Sequence, residues 1–337
     1  MSQRHWRSPR RRSPRRTGIS LLIFILPFLL LALALNFVLA DGGSHPSSTV
    51  VSCTNSACAT DVRPTSGANP LQPPSGSSRL GAPQKLSGER VPDFTARSAA
   101  IIEGDCGATV FEFNDHMHMP PASITKIVTA LVAADQFGLD EMVDINIDGA
   151  AFSMQTDATV MGLAPGMRLS VRDLLYGLLL SSAADAALAL ADHQPGGLPV
   201  FLQLMDAKAA SLGLRDSHFA NPHGLDEPAL YTSSFDMVQL GRELLRNPQL
   251  AQIVRTEVYQ PAWDGPQLWN GNGLLGYYPG TVGIKVGYTP LASGTIVAAS
   301  QQNGRLLIIS LLGSALLYQD AMNLLDWAFA NTADACP

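Results

Sequence analysis

The sequence predicts an α+β domain built on an antiparallel sheet and preceded by a transmembrane helix. Two observations predict the domain: short β-type runs lie near both of its ends, and the long stretch between them has helical periodicity. A third observation predicts the membrane helix: an apolar run over residues 19–40, interrupted only by Ser20, Pro27 and Asn36. The chain has 337 residues and 46% hydrophobic content, which is enough to form a buried core.

The first 40 residues divide into a basic and an apolar segment. Residues 1–18 contain seven arginines and no acid, so we expect them to stay cytoplasmic. As a helix, residues 19–40 span about 33 Å, so we predict a signal-anchor with everything after it outside the cytoplasm. Val38-Leu39-Ala40 resembles a cleavage site, so a cleaved signal peptide is the alternative. The apolar run argues against a twin-arginine signal at Arg15-Arg16.

Composition and charge change after the apolar run. Residues 41–90 are rich in Gly, Ser, Thr, Pro and Asn, so we predict a flexible tether, followed by one globular domain over 91–337. The net charge of −6 combines +7 on residues 1–17 with −13 on the rest. This excludes nucleic acid as a predicted partner of the domain, because phosphate binding needs a basic surface.

Four cysteines fit an oxidising compartment and allow three pairings. Proximity favours Cys53–Cys58, which leaves Cys106 with Cys336 and ties an early strand to the end of the chain. No zinc-type spacing accompanies them, and we predict no metal and no other cofactor.

Within the domain, the elements follow from turn signals and spacing. Runs at 98–103 and 108–113 flank Gly104-Asp105-Cys106-Gly107 and predict a hairpin, and a second hairpin is predicted around Gln302-Asn303-Gly304. A helix is expected from Ser123 to about Gln136, after Pro120-Pro121. Further helices are predicted at 171–181, 183–192, 199–212, 233–246 and 315–330.

The first chemical candidate is Ser123-Ile124-Thr125-Lys126. Residues three apart share a helix face, so Ser123 and Lys126 project together from the first turn, where backbone N–H groups stabilise developing negative charge. A lysine kept neutral by burial can act as the base for a hydroxyl nucleophile. Ser-x-x-Lys alone is a weak signal, and a capped helix with a solvated lysine is the alternative.

Two further motifs make the first one a more specific signal. They are Ser182-Ala183-Ala184 and Lys285-Val286-Gly287, and they follow Ser123-x-x-Lys126 in that order. With these residues the chain resembles the serine D-alanyl-D-alanine carboxypeptidases, the low-molecular-weight penicillin-binding proteins of the β-lactamase and transpeptidase superfamily. The likeness covers about residues 95–330. It implies a β-lactamase-like antiparallel sheet with helices on both faces and an all-α subdomain.

The resemblance also implies roles for residues of the three motifs. Ser123 is then the acyl-enzyme nucleophile, Lys126 its base, and Ser182 the group that relays the proton to the leaving D-alanine. Lys285 holds the substrate carboxylate and lowers the pKa of Lys126, and the N–H groups of Ser123 and Tyr288 form the oxyanion hole. Residues expected at the substrate are Lys285, Gly287, Tyr288 and Thr289.

Two positions depart from the family pattern. Ala184 stands where the family has Asn, and Val286 stands where it has Thr. Neither side chain can hydrogen-bond, and each lost bond costs about 1–3 kcal/mol, or roughly 10- to 100-fold. Thr289 and Ser181 lie close enough in sequence to be candidates for compensation.

The leading prediction is a membrane-anchored, extracytoplasmic bacterial hydrolase of the cell wall. It trims the terminal D-alanine from peptidoglycan stem peptides through an acyl-enzyme and is inhibited covalently by β-lactams. The alternative from another class is a catalytically degenerate envelope protein that binds peptidoglycan or a partner through the same cleft, based on Ala184 and Val286. A serine β-lactamase is the third reading.

Other polar and aromatic residues fit structural roles better. His116-x-His118 resembles a metal pair but has no third ligand nearby in sequence, so we predict a solvated loop. His223 lies in a turn-like segment without a nucleophile elbow, and Glu243 and Asn247 fit a solvated helix end. Aromatic residues expected to line or edge the cleft, with core packing as the alternative, are Trp263, Trp269, Tyr277 and Tyr278.

Overall fold

A computed structural model describes residues 90–336 of the chain. The predicted basic segment, signal-anchor, most of the tether and the Cys53–Cys58 pairing lie outside the described residues. Over 90–336, none of the helices combines the length and apolar character that a bilayer crossing requires.

The described residues form strands near both ends and helices between them, as predicted. The elements in chain order are β1 (Ser98–Glu103), β2 (Thr109–Phe113), a 3₁₀ turn (Ala122–Thr125), α1 (Lys126–Gln136), β3 (Met142–Asp144), α2 (Gly149–Thr156), β4 (Arg168–Ser170), α3 (Val171–Leu179), α4 (Ala184–His193), α5 (Gly197–Ser211), α6 (Ser234–Arg246), α7 (Pro248–Val254), β5 (Val258–Tyr259), β6 (Leu268–Trp269), β7 (Thr281–Thr289), β8 (Ser293–Gln302), β9 (Arg305–Ser314) and α8 (Leu317–Asn331).

The main sheet joins the two ends of the domain. Its strand order is β2-β1-β9-β8-β7, and all neighbouring pairs are antiparallel. The N-terminal hairpin therefore pairs with the last strand, with Ile101 opposite Ile309. Strand β7, which carries Lys285, lies at one edge of this sheet.

Alternating side chains of the sheet pack on two apolar layers, which is the consequence of the period-2 pattern of strands. Ile102 and Ile308 belong to the larger core, which includes buried residues of α1, α3, α4 and α6. Ile101 and Ile309 face the other layer and pack with α8 residues such as Leu324. Helices on both faces of an antiparallel sheet agree with the predicted α+β class.

The end of the described chain is fastened to the N-terminal hairpin. Cys106 and Cys336 form a disulfide, as predicted. Beside it, the buried Glu103 carboxylate accepts hydrogen bonds from Arg305, and Arg305 also donates to the carbonyl oxygens of Thr332 and Ala333. These contacts fasten the C-terminal residues to the end of β1 and the start of β9.

The structure differs from the sequence prediction in the start of one helix and in several short elements. The helix predicted from Ser123 begins as a 3₁₀ turn, and the α-helix starts only at Lys126. Helices α2 and α7 and the short strands β3 to β6 have no predicted counterpart. They are too short to produce a clear period, and their ends are set by contacts such as the Asp148 cap on α2.

Candidate active site

Ser123 lies in a tight turn that the main sheet holds in place. The turn is 3₁₀, in which residues three apart are eclipsed, so Ser123 and Lys126 lie on the same side. Ala122, directly before Ser123, adopts a left-handed backbone conformation with φ of 51°. The Thr295 hydroxyl of β8 donates to the Pro121 carbonyl oxygen at 2.9 Å, which ties the turn to the sheet.

Strand β7 passes very close to this turn at Gly287. A Cβ atom at Gly287 would lie 2.6 Å from the Ser123 backbone nitrogen and 2.8 Å from the Thr295 hydroxyl. Only glycine fits this approach, because real Cβ contacts are essentially never shorter than 3.0 Å. The sequence therefore allows the backbone of β7 to face the N–H group of Ser123, as an oxyanion hole requires.

The Lys126 side chain is buried against Ser123. Its Nζ atom donates to Ser123 Oγ at 3.0 Å and also to the carbonyl oxygen of His223, and the residue is only 2% exposed. Burial, followed by the positive charge of Lys285, holds the pKa of Lys126 well below its usual range, and the charge of Asp185 acts in the opposite direction. A lysine in this state can accept a proton from a hydroxyl.

Lys285 is a second buried amine near Lys126. It lies on β7, is 2% exposed, and its Nζ donates to the carbonyl oxygen of Val286 at 2.8 Å. Burial lowers the pKa of Lys285 to about 7. Two desolvated amines at one site form a centre that favours an anionic group, such as a carboxylate, over a cation.

The second predicted motif forms the turn between α3 and α4. Ser182 is half-buried and adopts a left-handed conformation with φ of 62°, which is uncommon for a residue other than glycine. The two residues that follow Ser182 are both held by backbone bonds: the Ala183 N–H donates to Gly177 O and the Ala184 N–H donates to Thr159 O. Both flanking helices contact α1, whose first residue is Lys126.

The sequence profile of the peptidase S11 family, described as D-alanyl-D-alanine carboxypeptidase, matches residues 85–315. The chain belongs to this family of serine peptidases. The matched range includes the turn that carries Ser123, the turn that carries Ser182, and strand β7.

Individual D-alanyl-D-alanine carboxypeptidases agree with the family assignment. DacB2 of Mycobacterium tuberculosis is 36% identical over 250 residues, which cover 71% of this chain and 84% of that protein. DacF of Bacillus subtilis is 30% identical, and the match covers 73% of this chain and 66% of that protein. The Streptomyces K15 DD-transpeptidase structure superposes with a TM-score of 0.68 at 28% identity, covering 72% of this chain and all of that one.

The two departures from the family pattern occupy different environments. Ala184 is buried as the first residue of α4. Val286 packs against the apolar layer that contains α8, on the face of the sheet opposite the buried larger core. Its methyl groups therefore lie against apolar neighbours. The Thr289 hydroxyl donates to Asp226 Oδ1 at 2.6 Å. Because its proton is engaged in this bond, Thr289 does not replace the hydrogen-bond donor that a Thr at position 286 would supply.

His116 and His118 lie apart from these three motifs and are exposed, as expected for a solvated loop. A third potential ligand does lie close in space, which sequence spacing did not show: Asp216 contacts His116 Nδ1 at 2.6 Å and His118 Nε2 at 3.5 Å. Both contacts join an imidazole nitrogen to a carboxylate oxygen. The Asp216 carboxylate raises the pKa of His116 by hydrogen bonding.

The remaining candidates from the sequence have mostly structural roles. The Glu243 carboxylate pairs with Lys208, and the Asn247 side chain caps α7. Tyr278 is buried and donates to Asp326, so it belongs to the core and does not line the cleft. Trp263 is partly buried against the larger core, whereas Trp269 and Tyr277 are exposed.

Sequence reasoning missed two parts of the site. His223 contributes its carbonyl oxygen to Lys126, and its buried ring accepts the Leu225 N–H at Nδ1. Burial lowers the pKa of His223 to about 3, with the positive charge of Lys126 contributing, so this imidazole is neutral near pH 7. Asp185 is the second part. It lies directly after Ala184, and no spacing rule connects it with its partners in the loop before α3.

Proposed function

We propose that this chain is a serine D-Ala-D-Ala carboxypeptidase that acts on peptidoglycan stem peptides. The observation that carries the proposal is the contact between Lys126 Nζ and Ser123 Oγ at 3.0 Å, with the lysine buried and near a second buried amine. Membership of the D-alanyl-D-alanine carboxypeptidase family supports the same substrate class.

The proposed reaction has two steps through an acyl-enzyme. Ser123 Oγ attacks the carbonyl carbon of the penultimate D-alanine and passes its proton to Lys126. The N–H groups of Ser123 and Tyr288 stabilise the oxyanion. Ser182 relays the proton to the nitrogen of the terminal D-alanine, the peptide bond breaks and free D-alanine leaves. Water then attacks the ester, Lys126 takes a proton from it, and Ser123 is released as the hydroxyl.

Substrate binding in this proposal depends on β7. Lys285 binds the terminal carboxylate of the substrate, and the approach of Gly287 to Ser123 keeps the strand beside the nucleophile. Tyr288 is 73% exposed and offers an aromatic surface at the rim, next to Thr289. A β-lactam acylates the same serine, and its ring-opened product stays attached as an ester.

A second candidate function is a degenerate envelope protein that binds peptidoglycan without turning it over. It is favoured by Ala184 and Val286, which remove two hydrogen-bonding side chains from the motifs. Each lost bond is worth about 1–3 kcal/mol. The Lys126–Ser123 contact is intact, however, and this favours the enzyme.

The location is also a proposal. The apolar run at 19–40 supports a single-pass membrane anchor with the domain outside the cytoplasm. The Cys106–Cys336 disulfide supports an oxidising compartment.

A time course with a fluorescent penicillin tests the proposal. The full-length chain should form a covalent adduct that Ser123→Ala abolishes, and it should release D-alanine from a D-Ala-D-Ala peptide. A long-lived adduct without peptide turnover indicates the degenerate protein, and a large gain from Ala184→Asn with Val286→Thr would confirm that reading. Rapid loss of the adduct indicates a β-lactamase. An adduct that persists in Ser123→Ala would overturn the nucleophile assignment.

A further inference from the structure

Asp185 is the most completely enclosed carboxylate near the three motifs. The residue is fully buried, at 0% exposure, in the first turn of α4. Three consecutive backbone N–H groups of the preceding loop point at it. Met161 donates to Oδ1 at 3.0 Å, Gly162 to Oδ2 at 3.0 Å and Leu163 to Oδ2 at 2.9 Å. The N–H of Ala186 adds a fourth bond at 3.0 Å.

This arrangement is a backbone anion nest occupied by a side chain of the protein itself. Consecutive N–H groups and the N-terminal end of a helix both favour negative charge. The space is closely filled, because a Cβ atom at Gly149 would lie 2.5 Å from Asp185 Oδ2. The Gly149 N–H also donates to the carbonyl oxygen of Leu163. This bond ties the same loop to the start of α2. The carboxylate therefore fixes the loop to α4.

The contact with Asp185 reaches Ser182 through the backbone. Ala184, between the two residues, donates its N–H to Thr159 O in the same loop. Ser182 itself has a φ of 62°. A left-handed backbone conformation is unfavourable for a residue other than glycine and persists only where its surroundings fix it. The loop bonded to Asp185 is what holds the residues that follow Ser182.

Asp185 also acts on Lys126 through its charge. The charged or titratable groups that act on Lys126 within the described residues are Lys285, which lowers its pKa, and Asp185, which raises it. His223 also faces Lys126, but its ring is neutral near pH 7. Asp185 thus offsets part of the effect of Lys285 and of burial.

We infer that Asp185 is a positioning residue for catalysis, which holds the Ser182 turn through the 161–163 nest. This role rests on the proposed function. The residue touches neither substrate nor reacting atoms, so it acts through Ser182 and Lys126.

The pH profile of acylation separates this role from a purely structural one. The rate of penicillin acylation by the full-length chain is measured from pH 5 to pH 10, and its acidic limb reports the deprotonation of Lys126. Asp185→Asn keeps the size of the side chain but removes the charge and places an NH₂ group among N–H donors. We expect the plateau to fall about 10-fold or more and the limb to move to lower pH.

Asp173→Asn is the matched control. Asp173 is a buried acid in the first turn of the neighbouring helix α3, bonded to Ser170, to the Tyr259 hydroxyl and to the Ala262 N–H. It does not act on Lys126. We expect this variant to lose thermal stability while the acidic limb stays at its wild-type pH. Equal limb shifts in both variants would overturn the inference.

Asp185→Glu keeps the charge but changes its reach. In this variant the plateau should fall and the limb should stay near its wild-type pH. An unchanged limb and plateau in Asp185→Asn would overturn the inference while leaving the proposed function in place. Failure of both Asp185 variants to fold would also overturn it, because Asp185 would then be required for the fold itself. A wild-type chain that forms no adduct would overturn the proposed function and this role together.

Discussion

The close approach of β7 to the serine turn can be tested with one methyl group. Gly287→Ala places a Cβ atom 2.6 Å from the Ser123 nitrogen, whereas ordinary van der Waals contacts begin at 3.4 Å. The strand and the turn must therefore separate by about 0.8 Å. Thr295 on β8 and the Ala122 side chain, at 2.8 and 3.1 Å from the same Cβ, block a sideways shift.

A separation of this size removes one donor from the proposed oxyanion hole. Productive donors lie about 2.7–3.1 Å from the oxyanion, so an extra 0.8 Å takes one of them past the usual hydrogen-bond limit. Loss of a single oxyanion donor costs about 10²- to 10³-fold in rate, or about 3–4 kcal/mol. We therefore expect Gly287→Ala to slow both penicillin acylation and D-alanine release by about that factor.

The assay is the acylation rate at a pH on the plateau of the pH profile, with thermal unfolding measured on the same sample. Gly138→Ala serves as the control, because a Cβ at Gly138 meets no atom within 4 Å. The control should acylate at the wild-type rate. A folded Gly287→Ala protein that acylates within about threefold of wild type would refute the reasoning, because the predicted separation amounts to a lost oxyanion donor.

Three further predictions concern stability. Lys285→Met should raise the free energy of unfolding by up to about 5 kcal/mol at pH 6, because burial lowers the pKa of Lys285 from 10.5 to about 7. This destabilisation of the wild type is fully present below about pH 7 and is lost as the pH rises toward 10.5, so denaturant melts of the two proteins should converge there. A constant difference across this range would contradict the assignment. Cys336→Ser opens a link between residues 230 apart in sequence and should lower the free energy of unfolding by about 5 kcal/mol, measured against the oxidised wild type. Unchanged unfolding would show that the Glu103–Arg305 contacts suffice. Gly224→Ala should give little folded protein, because its Cβ would lie 1.9 Å from the Ala122 carbonyl oxygen at a φ of +87°; a normal melting curve would contradict this.

Much of this molecule could be predicted from local sequence. The two hairpins, the six longer helices and the pairing of Cys106 with Cys336 follow from turn residues, periodicity and cysteine count. The Ser123-x-x-Lys126 pair was predictable because both residues lie on one turn. In each case the information lies within a few neighbouring residues or in a small number of alternatives.

The rest depends on contacts between segments distant in sequence. Asp185 binds N–H groups 22 to 24 residues earlier, in a loop with no periodicity, and backbone donors leave no mark on residue type. Lys126 uses the carbonyl oxygen of His223, 97 residues away, and any residue there has a carbonyl. For Tyr278 the sequence left the cleft and the core open; its ring packs in the apolar layer beside α8 and its hydroxyl donates to Asp326 of α8, a contact that local sequence does not show.

The strand order has a consequence for how the domain acquires activity during its synthesis. Strand β1 pairs with β9, about 200 residues later, and the serine turn is tied to β8 and faces β7 near the end of the chain. Ser123 therefore leaves the ribosome long before the strands that shape its surroundings. Contacts of such sequence separation form late, since a long loop must close first. A partly made chain thus carries the proposed nucleophile without its proposed oxyanion donor from β7, and we expect reactivity toward acyl substrates to begin only when the last strands have joined the sheet.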